Sequence, residues 1–295
     1  MVPVLDKQVE CVVCGGVKWV RCPDLERVSR PLAAPAIVRC TTCGLRRVDP
    51  MPTQEHLRAI YDGDGLKHEY AAITADVVYV SGDDEVLPFI RERFALLQRL
   101  SHGPGRILDI GAAQGAFLGF ARAEGWDVAG LEFSEEGRAR ALERFGIALD
   151  PVPVVGADLP PCSFDAVNMS HVLEHVPDMP ETLAAIHRLL KPGGLFCVEV
   201  PNEFDDLFGV LRANVLGRPR DPYPVASPHT YFFTPTTLRR LLAKSGFSIE
   251  HFATPRRNAA VASRFPLGRV VKSAVFAAER VLSRGPLIEA IARKR

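Results

Sequence analysis

The chain has 295 residues, 47% hydrophobic and 24% charged, which gives enough apolar material for a packed core and excludes wholesale disorder. Its 36 basic and 35 acidic residues sum to +1, against a globally basic nucleic-acid binder. No run of about 18 apolar residues is present to span a membrane, and Met1 to Glu10, with two acids, one Lys and no apolar stretch, does not read as a secretory leader.

The first fifty residues are rich in Cys and short turns. Cys11-x2-Cys14 and Cys40-x2-Cys43 are separated by 25 residues. Two-residue spacing lets both thiolates of a knuckle face one tetrahedral ion, and two knuckles fill a four-cysteine shell. Gly15-Gly16 and Gly44 follow the pairs and permit tight turns. Zinc held structurally by Cys11, Cys14, Cys40 and Cys43 is the expectation, with Cys22 as a substitute ligand and a redox pair as the alternative. Seven Cys with this spacing suit a reduced, cytoplasmic protein better than a disulfide scaffold.

Pro52 opens an expected helix with Leu57, Ile60 and Tyr61 as its stripe, and residues 66–84 read as a mixed connector. Val86, Phe89, Ile90, Phe94, Leu97 and Leu100 mark the next helix. From 106 onward short apolar runs alternate with helical periods. Strands are expected at 106–110, 127–133, 151–155, 164–170, 195–200, 247–253 and 287–293. Helices are expected at 114–124 (Phe117, Leu118, Phe120 and Ala121 inward), 134–145 behind Ser134, 178–190, and 234–245 behind Thr234-Pro235. Lys191-Pro192-Gly193-Gly194 is expected to break the chain. Strands separated by helices imply βαβ units. The fold class is therefore α/β: a Rossmann-like doubly wound, mostly parallel seven-stranded sheet, with a small N-terminal zinc-ribbon module. Residues 1–50 form that module, 51–105 a helical connector and 106–295 the main domain. Residues 201–230, with Phe204, Leu207, Phe208, Val210, Leu211 and Val215, are expected to form a short helix and acceptor lid.

Residues 106–115 read Arg-Ile-Leu-Asp-Ile-Gly-Ala-Ala-Gln-Gly, a strand followed by a turn of small residues that lets a ligand approach the main chain. Glu132 follows at the end of the second strand, where a carboxylate can accept hydrogen bonds from vicinal ribose hydroxyls. The spacing G-x-G-x-x-G is absent, which counts against a dinucleotide. With the later block Phe164-Asp165-Ala166-Val167, His171-Val172-Leu173-Glu174-His175-Val176 and Leu190-Lys191-Pro192-Gly193-Gly194, these residues resemble the class I S-adenosylmethionine-dependent methyltransferases, in the branch acting on small molecules and biosynthetic intermediates. The resemblance implies S-adenosyl-L-methionine as cofactor. Asp109 would support the loop near the methionine amino group, with Gly111, Ala113 and Gly115 along the methionine moiety. Glu132 would take the ribose and Asp158 the adenine amino group, with Met169 and Ser170 beneath the cofactor. Ala113 stands where many members have Gly. The segment Val38 to Leu45 resembles the second knuckle of a zinc ribbon, and the pattern continuing to Tyr61 resembles an N-terminal module of methyltransferases in glycan and secondary-metabolite pathways.

Methyl transfer to oxygen benefits from a base near neutrality, so His171, His175 and His229 are the catalytic candidates. The nearby Tyr231, Phe232 and Phe233 could line an acceptor pocket. The last 41 residues carry ten Lys or Arg and two Glu, a local net of +8, leaving −7 for residues 1–254. Val270, Val271, Ala274, Val275, Ala278, Val281 and Leu282 give residues 255–286 a helical apolar stripe. It is expected either to pack on the domain before the last strand or to touch an anionic membrane surface peripherally. The leading reading is a small-molecule or glycan-precursor methyltransferase, directed to oxygen. An RNA methyltransferase gripping its substrate through zinc module and tail, and a non-catalytic methyltransferase-like binding protein, are the alternatives. The acidic body argues against nucleic acid as partner.

Overall fold

The computed structural model describes residues 9–22, 36–53, 57, 88–202, 204–216, 229–256 and 266–295. The expected helical residues Ile60 and Tyr61, the connector 66–84 and the lid residues 217–228 lie outside the described residues; Leu57 is buried.

The main sheet is built from β4 (Arg106–Ile110), β5 (Asp127–Leu131), β6 (Phe164–Ser170), β7 (Leu190–Pro201), β9 (Phe247–Ala253) and β10 (Leu287–Lys294). Their order is β5-β4-β6-β7-β10-β9. The first four strands are parallel; β10 runs antiparallel between β7 and β9. Helices cover both faces, as a parallel sheet requires. Alternate residues of β4 show the division: Ile107 joins Phe94, Leu97, Leu118 and Trp126, while Leu108 joins Leu183, Ile186, Leu238 and Leu242. One face thus carries α1 (Pro88–Ser101), α2 (Ala116–Ala123) and α3 (Glu135–Phe145). The other carries α4 (Met179–Leu189) and α6 (Pro235–Lys244).

Local chemistry sets several ends. Ser134 Oγ accepts from the Gly137 N–H at 3.1 Å, with Glu135 and Glu136 in the first turn of α3. Thr234 and Thr237 cap α6 reciprocally: the Thr234 N–H donates to Thr237 Oγ1 at 2.8 Å, and the Thr237 N–H to Thr234 Oγ1 at 3.2 Å.

The structure corrects three expectations. Residues 151–155 are not a strand. A single parallel bridge, Leu131 to Asp150, is followed by a 3₁₀ turn over Val154–Gly156. Pro151 and Pro153 lack the N–H that a ladder needs, so the sheet has six strands among the described residues rather than seven. Lys191-Pro192-Gly193-Gly194 does not break the chain. β7 begins at Leu190 and absorbs the turn residues through a register shift opposite Phe164 and Ala166, with Lys191 Nζ 2.7 Å from Asp165 Oδ2. On α2 the expected inward residues do face the core: Leu118 and Ala121 are buried, and Phe117 and Phe120 pack half-buried and edge-on to Phe94.

The third correction concerns which residues of the basic tail pack; that the tail packs on the domain is one of its two expected alternatives. Helix α7 (Pro266–Leu282) packs on α5 (Leu207–Leu216) through Phe276 against Phe208, with Glu279 buried. Glu279 accepts from the Phe208 N–H at 3.0 Å and from Arg256 Nη2 at 2.7 Å. Ala274, Val281 and Leu282 of the expected apolar stripe are exposed, Val281 by 83%. Val275 and Ala278 are half-buried beside Phe276 and the buried Glu279, and the side chains of Val270 and Val271 lie outside the described residues.

A second, antiparallel sheet contains β1 (Trp19–Arg21), β2 (Ala36–Cys40), β3 (Arg46–Asp49) and β8 (Tyr231–Phe232). Its fourth strand comes from far along the sequence: Arg47 pairs with Tyr231, and the Val48 N–H donates to the Thr230 carbonyl at 2.9 Å. Cys11, Val13, Cys40 and Leu45 share one buried cluster with Tyr231, Phe233 and Leu238. The cysteine knuckles are thereby packed on the main domain.

Candidate active site

At the carboxyl end of β4 the chain turns back under β5. Gly111 and Ala112 both donate N–H groups to the Leu131 carbonyl, at 2.8 and 3.0 Å. This turn requires left-handed backbone: Gly111 has φ 75°, Ala113 φ 48° and Gly115 φ 76°. A Cβ on Gly111 would stand 2.3 Å from Val172 Cγ2, so that position is closed to side chains. Ala113 carries its methyl in a conformation costing an L-residue about 1–2 kcal/mol. Its N–H donates to Glu132 Oε2 at 2.8 Å, which holds it there. The other carboxylate oxygen of Glu132 accepts from the Ser134 N–H at 2.7 Å. Burial raises the Glu132 carboxyl above the usual range, against the pull of these N–H groups. Each oxygen keeps acceptor capacity for a further donor.

Asp109 is buried beneath this turn and accepts from Asn168 Nδ2 at 2.7 Å. Burial pushes its carboxyl up to about 7, with the Asn168 hydrogen bond and the Arg93 charge opposing and Glu132 adding. Asn168 is itself buried, and its Oδ1 has no hydrogen-bond partner among the described residues. Asp158 is exposed beyond the 3₁₀ turn. Met169 is fully buried in the core, so its side chain belongs to packing. Ser170 Oγ accepts from Arg93 Nη1 at 3.2 Å and lies 3.4 Å from Glu199 Oε1.

The three candidate histidines converge. His171, at φ 55°, lies between two buried carboxylates: Nδ1 is 3.5 Å from Glu174 Oε1, and Nε2 is 3.5 Å from Glu199 Oε1. Burial alone would lower its pKa, but these carboxylates raise it to about 10. The two flanking carboxylates favour the imidazolium form of His171. Glu174 is fully buried; burial raises its carboxyl, but the surrounding histidines pull it below the usual range. His175 and His229 meet edge to face at 4.6 Å. One ligand atom from each of Glu174, His175 and His229 lies within 4.8 Å of the others, close enough to share a cation. His229 is buried, and the aromatic cluster follows it: Phe232 lies 6.5 Å from its ring, and Phe204 lies 5.0 Å beyond.

The sequence reading missed Arg93, Glu199 and Glu289. Arg93 sits three residues beyond Ile90 on the apolar stripe of α1 and is buried 3.8 Å from Glu289. A charge on a stripe, or a lone Glu within Leu-Phe-Cys-Val-Glu-Val or Leu-Ile-Glu-Ala-Ile, is the signal that could have found them.

The four cysteines come together with every sulfur within 4.8 Å of the others. Cys11 and Cys43 are 3.5 Å apart, Cys14 and Cys40 3.6 Å. A tetrahedron with metal–sulfur bonds of about 2.3 Å has edges of about 3.8 Å. Both knuckles turn alike, with the Gly15 N–H donating to the Cys11 carbonyl at 2.7 Å and the Gly44 N–H to the Cys40 carbonyl at 3.0 Å. The donor set and spacing fit a zinc module. Cys22 and Cys162 lie outside it, and Cys197 is buried in the main core.

The family model described as "Methyltransferase domain" matches residues 87–251. The chain is 35% identical over 120 residues to the ubiquinone biosynthesis O-methyltransferase of Pseudomonas aeruginosa, covering 38% of this chain and 51% of that protein. It is 30% identical over 155 residues to the protein of the same name from Thiobacillus denitrificans, covering 49% and 65%. The chain thus spans about half the length of the curated relatives it matches first. Among solved structures, an S-adenosylmethionine-dependent methyltransferase from Mesorhizobium loti is 25% identical with a TM-score of 0.50, covering 69% of this chain and 96% of its own. The 1,6-didemethyltoxoflavin-N1-methyltransferase of Burkholderia thailandensis, solved with S-adenosylhomocysteine, shares the fold at 20% identity, with a TM-score of 0.55 and coverage of 86% and 96%.

Proposed function

The chain belongs to the methyltransferase-domain family, within the class I S-adenosylmethionine-dependent methyltransferases, and we propose that it transfers a methyl group to an oxygen of a small-molecule acceptor. One observation carries this reading. The Glu132 carboxylate stands at the end of β5 beside the left-handed turn 111–115, and the buried Asn168 Oδ1, two residues before the end of β6, lacks a hydrogen-bond partner among the described residues. S-adenosylmethionine, when bound, supplies a methyl carbon on a sulfonium, a leaving group that needs little further activation. Positioning then contributes most of the acceleration.

The chain's own residues divide the work. Glu132 accepts the ribose hydroxyls. Gly111, Ala113 and Gly115 offer backbone to the methionine moiety, with Asp109 holding Asn168 beneath them. Asp158 takes the adenine amino group, and Ser170 fixes Arg93 at the end of β6. His229, or His175 against it, removes the acceptor's proton. His171, already protonated, serves as a hydrogen-bond donor. Oxygen as acceptor atom follows the named activity of the relatives. Zinc in the four-thiolate site is structural, because the shell leaves no open position. Residues 1–50 serve as a zinc ribbon, 51–105 as connector and 201–230 as part of the acceptor wall.

Calorimetric titration with S-adenosylhomocysteine tests the reading. The chain should bind it, and Glu132→Gln should weaken binding about tenfold or more, as loss of a charge-assisted hydrogen bond requires. No detectable binding at millimolar ligand would sink the proposal. His229→Ala should leave this affinity unchanged while lowering turnover by about 10²–10⁴.

A further inference from the structure

Away from the turn at Gly111, a cavity of about 650 Å³ opens where the second cysteine knuckle meets the start of α6 and the end of α7. Arg39, Arg46 and Arg284 line it, with Asp205 as the one lining carboxylate among the described residues. Asp205 is already engaged. Its Oδ2 accepts from Arg46 Nη1 at 3.3 Å, and its backbone carbonyl accepts from Arg284 Nε at 2.9 Å. Arg39 forms no ion pair with any described residue, and the Nε of Arg46 is buried without a hydrogen-bond partner. Thr234, Pro235 and Thr236 add the start of a ten-residue helix; Pro235 has no N–H and the Thr237 N–H is capped by Thr234 Oγ1, so Thr236 supplies the first-turn N–H that lacks a carbonyl four residues back.

Three guanidinium groups share one cavity with the Asp205 carboxylate and the Cys43 thiolate, and Arg39, exposed and without an ion pair to any described residue, keeps its fork for a further anion. Planar guanidinium forks with a helix N-terminus match the oxygens of a phosphoryl group. The cavity also borders the candidate site: Arg46 lies over Phe204 at 5.5 Å, Phe204 meets Phe232, and Phe232 meets His229. Two aromatic rings, Phe204 and Phe232, thus stand between Arg46 and the proposed base.

The geometry points to a phosphoryl-binding site in this cavity, which anchors the anionic end of an acceptor while its reacting hydroxyl meets His229. The anchoring role rests on the methyltransferase reading above; the binding site does not. A phosphorylated metabolite and a lipid phosphate headgroup present the same chemistry.

The test is calorimetric titration of the full chain with inorganic pyrophosphate, beside S-adenosylhomocysteine. Thr236→Glu is the informative variant. Thr236 is exposed, and a carboxylate in the first turn of α6 favours the helix while repelling an anion in the cavity. Thr236→Glu and Arg46→Gln should each weaken pyrophosphate binding at least tenfold and leave S-adenosylhomocysteine affinity and zinc content unchanged. Pelleting with phosphatidic-acid vesicles identifies the source. Pelleting lost in Thr236→Glu and competed by pyrophosphate assigns a lipid headgroup; pelleting that is absent or insensitive assigns a soluble phosphoryl compound. Pyrophosphate binding that is absent at millimolar ligand, or equal in Thr236→Glu, overturns the site. So does loss of zinc in Arg46→Gln, since the arginine would then serve the thiolates. Should S-adenosylhomocysteine fail to bind while pyrophosphate binds as expected, the methyltransferase reading falls and the anion site stands.

Discussion

Thr230 hangs from the main-chain carbonyl of Glu174: its N–H donates at 2.7 Å and its Oγ1 at 2.8 Å to the same oxygen. The two residues are 56 positions apart, and both are fully buried. This double hydrogen bond brings His229 against His175. Thr230→Val keeps the volume and removes the hydroxyl donor. Loss of one buried hydrogen bond should cost about 1–2 kcal/mol in chemical denaturation. Turnover should fall further than stability does, because the variant releases the His229 loop. Unchanged kcat at saturating acceptor would separate this contact from catalysis.

Gly111 and Ala113 both occupy left-handed backbone but differ in what surrounds them. Gly111→Ala would drive a methyl to 2.3 Å from Val172 Cγ2 and add backbone strain, so it should destabilise the chain by about 1–3 kcal/mol and weaken S-adenosylhomocysteine binding. Ala113→Gly relieves the strain at φ 48° but gains unfolded-state entropy. These effects oppose, and its stability should move by less than about 1 kcal/mol with cofactor affinity retained. Thermal unfolding with and without S-adenosylhomocysteine distinguishes the two positions.

The turn that these residues form was legible because its signal is local. A strand, small residues at 111, 113 and 115, and an acid twenty-one residues after the first of them need only chain connectivity to meet. The two cysteine pairs were legible for the same reason. The tie between Thr230 and Glu174 was not, nor was the pairing of Arg47 with Tyr231, because neither partner carries a mark of the other in its own neighbourhood. The strand over 151–155 misled in another way. Its apolar pattern suggested a strand, while the missing N–H groups of Pro151 and Pro153 decided against it. Glu199 and Glu289 were overlooked because buried charges are justified only by partners that the fold supplies: His171 for Glu199, Arg93 and His251 for Glu289.

His171 should be charged throughout the neutral range. Its folded pKa is raised from 6.5 to about 10. The stability it contributes is therefore fully present below about pH 6.5 and is lost as pH rises through about 10. Glu174 has the opposite sign: its pKa is lowered, so its contribution is present above the ordinary carboxylate range and is lost as pH falls through its folded value. Chemical denaturation across pH should show declining stability above about 6.5. The His171 imidazole resonance should stay in its protonated position from pH 6 to 8 in an NMR titration. A midpoint near 6.5 would remove His171 as a fixed donor and return it to the list of candidate bases.

Metal removal should reach the chemistry without reaching the cofactor turn. The four thiolates hold the knuckles that carry β2 and β3, and β3 holds β8 through Arg47 opposite Tyr231 and Val48 N–H to the Thr230 carbonyl. His229 immediately precedes Thr230, so loosening β3 loosens the proposed base. The turn at Gly111 and the Glu132 carboxylate are anchored instead to β4, β5 and α3. Structural zinc contributes folding free energy outright, and the segment it holds opens first when it leaves. Chelation, or Cys43→Ser, should therefore abolish most methyl transfer while S-adenosylhomocysteine affinity changes only a few-fold. Hydrogen exchange should accelerate over 36–49 and 229–233 and remain slow over 106–110. Equal loss of cofactor affinity and turnover would mean that the knuckles support the whole domain; retention of both would leave the zinc module without a catalytic role.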